Sequence, residues 1–112
     1  MDIREEQLDG VSIVVPVGRI DINTAPEAEA AIMPKFDEAR GVVVDFAELT
    51  YISSAGLRIL LKAAKRSKAS GVPLAFSNMA PPVLEVFEVS GFARLFSIYG
   101  DRAAAVASIP AA

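Results

Sequence analysis

The 112 residues include no cysteine and no histidine. Without cysteine there is no disulfide, no thiolate nucleophile and no zinc thiolate. Without histidine the usual general base near neutral pH is missing, and so is the usual zinc ligand. Long apolar runs are missing too: none approaches the roughly 18 uncharged residues of a membrane span. The N-terminus, Met1-Asp-Ile-Arg-Glu-Glu6, is acidic and polar rather than a signal peptide. There is no Gly-x-x-x-x-Gly-Lys-[Ser/Thr] loop of an NTPase and no Gly-x-Ser-x-Gly elbow of a serine hydrolase. A net charge of −3 gives no reason to expect a nucleic-acid partner. These absences lead us to expect a soluble, cytoplasmic, non-enzymatic protein. It would have no cofactor, no metal site and no direct membrane insertion.

What remains is an apolar fraction of 53%, enough for one packed core. No repeat or linker interrupts the chain, so residues 1–112 are expected to form a single domain. Ile3–Gln7 and Val11–Val17 have the pattern of two strands, joined by a hairpin turn at Asp9-Gly10. Pro16 donates no backbone hydrogen bond and is expected at an edge or strand end. Gly18–Thr24 reads as an irregular polar link. Thr24-Ala-Pro-Glu27 has the form of a capping box that opens a helix to about Ala39. Ala25, Ala28, Ile32 and Phe36 would form its apolar stripe.

Gly41–Phe46 is short, apolar and β-branched, the pattern of a buried strand. Phe46–Ile52 would then cross to a second helix, whose apolar stripe is Leu57, Leu60, Leu61 and Ala64. That helix should end near Gly71. Val72–Phe76 is the next strand. Pro81 and Pro82 fit only the first turn of a third helix, with Val83, Leu84 and Phe87 buried. Leu95–Tyr99 is a last short strand, and Asp101 caps a final helix to about Ser108. Strands alternating with helices after a hairpin imply an α/β domain. The expected architecture is a mixed sheet of four to five strands under about four helices.

The tandem serines Ser53 and Ser54, followed by Ala55 and Gly56, fall at a strand-to-helix junction. Free N–H groups and partial positive charge gather at a helix start. Either serine could cap it, and a phosphate would also be stabilised there. The second helix then carries Arg58, Lys62, Lys65, Arg66 and Lys68 with no acid between Ser54 and Ser70. Such a run suits a solvated face, or a rim that steers an acidic partner. Asp21, Asn23 and Asp45 are the polar groups expected around the junction, though all three residue types also serve as turn formers and loop acceptors.

Phe46–Arg58, with the sequence Phe-Ala-Glu-Leu-Thr-Tyr-Ile-Ser-Ser-Ala-Gly-Leu-Arg, resembles the signature of the STAS family, in particular the bacterial anti-sigma factor antagonists. Val17–Ala25 and Val89–Tyr99 resemble two further segments of that family, in the same order. The resemblance implies a STAS-like fold and a partner-switching function. The unphosphorylated protein would bind an anti-sigma factor that is also a serine kinase, and so free a sigma factor. ATP-dependent phosphorylation of a serine at the start of the second helix would switch it off. A metal-dependent serine phosphatase would reverse this. The family's phosphorylated serine falls on Ser54, with Ser53 as the alternative, because Ser53-Ser54-Ala55-Gly56 stands where the family often has Asp-Ser-Ser-Gly. The resemblance carries the partner surface to Asp21, Asn23, Thr24, Ser53, Ser54, Gly56 and Arg58. A non-switching STAS subunit, such as a docking component of a transporter, is the alternative reading.

Overall fold

The computed structural model describes residues 1–111. Strand β1 (Asp2–Leu8) and strand β2 (Val11–Ile20) form the expected hairpin. Its turn has positive φ at both central residues, Asp9 and Gly10, as a two-residue primed turn requires. The sheet continues with β3 (Gly41–Asp45), β5 (Leu74–Ser77) and β6 (Ile98–Tyr99), each parallel to its neighbour, in the order β1-β2-β3-β5-β6. The sixth strand, β4 (Leu49–Ile52), also pairs with β2. The fold is thus the expected mixed α/β sheet, with one strand more than the sequence pattern announced.

That extra strand corrects two expectations. Gly18–Ile20 is not an irregular link but the continuation of β2 across a bulge at Gly18 and Arg19. Gly18 takes φ +95°, a conformation that side chains resist, which lets the strand kink and go on. Phe46–Ile52 is not only a crossing, because Leu49–Ile52 pairs with that continuation. Leu49 and Ile52 are buried while Thr50 and Tyr51 between them are exposed, so the alternation of a strand is missing. Pro16 is likewise not at an edge or strand end. It sits inside β2, where the neighbour changes from β3, paired up to Val14, to β4, paired from Gly18.

The helices are α1 (Ala25–Ile32), α2 (Ser54–Ser70), α3 (Pro81–Val89) and α4 (Arg102–Ala107). α1 stops earlier than expected, because Pro34 lacks the N–H that an α-helix would need there. The chain tightens into a 3-10 turn, Met33–Asp37, that still buries Phe36. Leu95 is likewise in a 3-10 turn, Ala93–Leu95, rather than in the last strand. Asp101 caps α4 as expected, its carboxylate accepting from the Ala104 N–H at 2.7 Å. Gly71 ends α2 in the left-handed conformation.

The parallel strands are covered on both faces, which explains why β3 is buried throughout. Val14, Val42, Val44 and Phe76 face the larger core, shared with α1, α2 and α3. Val11, Ile13, Val43 and Ala75 face the smaller one, closed by Ala105 and Ile109. Arg102 on α4 ties this second layer down, donating to buried Asp45 at 2.8 Å and to Glu6 at 3.0 Å. The Asp45 partner holds the guanidinium pKa above its ordinary value. No helix among the described residues is long and apolar enough to cross a membrane.

Four phenylalanines knit the larger core. Phe46, Phe76 and Phe87 meet edge to face with centroids 5.2–6.2 Å apart, and Phe96 lies against Phe76 and Phe87. Phe87→Ala empties a site that no solvent reaches. It should cost about 3–5 kcal/mol, read from urea unfolding followed by circular dichroism.

Candidate functional site

The β2–β4 pairing sets the site. Ile20 pairs with Ile52 at the end of both strands, and the Ser53 N–H donates to the Ile20 carbonyl at 2.9 Å. The chain after β2 and the chain after β4 therefore leave the sheet side by side. The first gives the loop Asp21–Thr24, the second the start of α2.

The two serines differ. Ser53 is the N-cap residue, with extended backbone, and its Oγ accepts from the Gly56 N–H at 3.4 Å. Ser54 is the first residue of α2, is exposed, and its hydroxyl makes no hydrogen bond among the described residues. No acid lies in the first turn of α2, a helix that runs to Ser70, so its own side chains do not offset the positive end.

Gly56 is buried rather than displayed. A Cβ on it would lie 2.6 Å from Ile52 Cγ1 and 2.8 Å from Ile20 Cγ2. It contributes to the surface indirectly, by letting α2 rest flat on the ends of β2 and β4. Arg58, one turn beyond Ser54, is exposed. Asp45 does not join the junction. It is buried at the end of β3, accepting from the Ala47 N–H, Asn78 and Arg102.

The Asp21–Thr24 loop is held by its own side chains. Asp21 Oδ1 accepts from the N–H groups of Asn23 at 2.9 Å and Thr24 at 3.1 Å. Thr24 Oγ1 accepts from the Asp21 N–H at 2.9 Å and donates to the Arg19 carbonyl at 2.8 Å. The expected capping box is therefore not formed. The Thr24 hydroxyl turns back into the loop and makes no cap hydrogen bond, while Glu27 pairs with the N-terminal ammonium. Two neighbours of the site went unmarked in the sequence pattern. Ile22 is 77% exposed at the loop's tip. The Arg19 guanidinium stacks 4.2 Å from the centroid of the exposed Tyr51 ring. An isoleucine between an aspartate and an asparagine was the available sign of the first. Among the described residues no group of three or more acids, histidines or cysteines is placed to hold a metal ion.

The N–H groups of Asn23 and Thr24 hold the Asp21 carboxyl below its usual pKa. A lowered carboxylate pKa means the loop's order is complete above the ordinary aspartate value, about 3.9. It is lost as pH falls through the lower folded value. The amide shifts of Asn23 and Thr24, followed by NMR on acidification, should titrate together at that lower pH, and Asp21→Ala should abolish the transition.

The chain matches the STAS domain family model over residues 2–105. It is 36% identical to a Bordetella bronchiseptica protein named as an anti-sigma factor antagonist, BtrV, across the whole of this chain and 97% of that one. The crystal structure of an anti-sigma factor antagonist from Mycobacterium paratuberculosis superposes with a TM-score of 0.88 at 26% identity, covering 96% of this chain and 92% of that one. The phosphorylated form of the Bacillus cell fate determinant SpoIIAA shares the fold, with a TM-score of 0.73 at 16% identity over 97% and 100% of the two chains. With the family model matched almost from end to end and the fold shared with these solved structures, this chain belongs to the STAS domain family.

Proposed function

We propose that this chain is an anti-sigma factor antagonist that works by partner switching. Unphosphorylated, it binds an anti-sigma factor that is also a serine kinase. The kinase transfers the γ-phosphoryl of ATP to Ser54, and a metal-dependent serine phosphatase removes it. A cytoplasmic location goes with this reading, since it uses ATP and a sigma factor. The observation that carries it is the contrast between the two serines: Ser53 is occupied as a cap, whereas Ser54 is exposed, makes no side-chain hydrogen bond among the described residues, and begins a helix whose first turn carries no acid. The name of the Bordetella relative supports the antagonist role. The phosphorylated SpoIIAA structure supports a phosphate being compatible with the fold.

The switch is local electrostatics. Phosphorylation adds a charge of about −1.5 to −2 and three acceptor oxygens. Facing the helix N-terminus, that charge is tolerated by the chain itself, at a gain of about 0.3–1 kcal/mol. In an interface the same dianion must lose water, and it repels any carboxylate opposite. Asp21, Asn23, Thr24 and Arg58 surround Ser54 in that interface, with Ser53 and Gly56 setting the backbone that presents them.

The test uses a purified kinase-type anti-sigma factor as the partner. After incubation with it and ATP, mass spectrometry should find one phosphate, on Ser54. Ser53→Ala should still be phosphorylated there, with about 1 kcal/mol of stability lost from the missing cap. Ser54→Ala should bind the kinase and never release it, and Ser54→Asp should bind more weakly. A phosphate on Ser53, or none, contradicts the assignment.

A further inference from the structure

α2 divides its cations between two sides. Lys62 pairs with Glu29 at 3.4 Å and Arg66 pairs with Asp37, so these two face α1 and the turn that follows it. Arg58, Lys65 and Lys68 are exposed. Among the described residues, none of the three makes an ion pair. With Ser54 and Leu61 they fall on one stripe of the helix, at i, i+4, i+7, i+11 and i+14.

Three adjoining depressions, joined through Leu61, Ala64 and Leu95, form a groove along this stripe, between α2 and the segment after α3. Leu61 and Phe92 line it near Ser54, Ala64 and Leu95 line its middle, and Leu74 lies at its far end. Leu95 is 57% exposed. Leu61 and Ala64 are the residues that helical spacing had assigned to the core. The core takes Ile59 and Ala63 instead, and leaves these two half-exposed. The groove's lining includes Arg58, Lys65 and Lys68 and no carboxylate. In a chain of net charge −3, a positive stripe free of acids is a local feature.

We infer that this groove docks an acidic amphipathic helix of the protein partner. Its apolar side chains rest on Leu61, Ala64 and Leu95, and its carboxylates meet Lys65 and Lys68. A groove laid along a helix suits a partner helix, and the unpaired cations set the charge that helix must carry. The inference rests on the proposed function in taking the anti-sigma factor as the owner of that helix. It extends the contact surface nearly three turns beyond Arg58, to Lys68, away from the phosphorylation site. A phosphate on Ser54 would stand at the near end of the same groove and compete for Arg58.

The probe is the purified kinase-type anti-sigma factor, titrated by calorimetry at low and high salt into wild type, the double variant Lys65→Glu/Lys68→Glu, and Leu95→Ala. All three positions are exposed, and unchanged melting curves verify the fold. The double variant should bind on the order of tenfold more weakly and lose most of the salt dependence of the wild type. Leu95→Ala should weaken binding without changing the salt dependence. Binding within twofold of wild type for both overturns the groove and leaves the proposed function standing. If wild type does not bind at all, the proposed function fails and the groove with it. If the variants change only self-association in sedimentation, a second copy is the occupant and the inference is wrong.

Discussion

The structure depends on one long strand lending its edge to two others. β2 pairs with β3 through Val14 and with β4 from Gly18 onward, so the chain steps from β3 to β4 while following a single neighbour. The last link in that ladder is the hydrogen bond from Ser53 to the Ile20 carbonyl. It puts the first turn of α2 beside the loop that leaves β2. Gly56, with no room for even a methyl group, then lays the helix on Ile20 and Ile52. Every candidate contact around Ser54 follows from that register, since a shift of one residue would turn Ile20 and Ile52 out of the core.

The consequence, in the proposed switch, is a buried apolar base under a surface whose charge phosphorylation would change. The residues beneath Ser54 are buried and apolar, and the loop beside it is held by hydrogen bonds from Asp21 and Thr24. A group added to the Ser54 oxygen meets solvent and helix N–H groups, not the core. In the proposed switch, the phosphate therefore acts on the partner and not on the stability of the domain. The groove along α2 fits the same scheme, because it offers the partner an attachment that phosphorylation reaches only at one end.

The strands and helices with strong periodicity were legible in the sequence. So were the Asp9-Gly10 turn, the Asp101 cap and the Gly71 stop, each set by local chemistry. β4 was not, because Leu49 and Ile52 are three residues apart and the strand's burial comes from its neighbours, not from its alternation. The Thr24-Ala-Pro-Glu27 box misled for a related reason. The motif is local, but the Thr24 oxygen accepts from the Asp21 N–H and its hydroxyl donates to the Arg19 carbonyl, partners brought to it only by the course of β2 past Gly18. At the site, the serine-rich junction was visible. The division of labour between Ser53 and Ser54, the burial of Gly56 and the separation of Asp45 needed the fold. On α2, Leu57 and Leu60 are buried as expected, but Ile59 and Ala63 go inside in place of Leu61 and Ala64, which match helical spacing equally well. Only the packing of α1 and the sheet decides which pair goes inside.

In the proposed switch, a dianion on Ser54 alters recognition and leaves the core alone. Amide NMR spectra of the chain before and after enzymatic phosphorylation test it most directly. Shift changes should be confined to the first turns of α2 and the Asp21–Thr24 loop, with the amides of β3, β5 and α4 unmoved. Changes spread through those strands would contradict it, because the phosphate would then be acting by rearranging the fold.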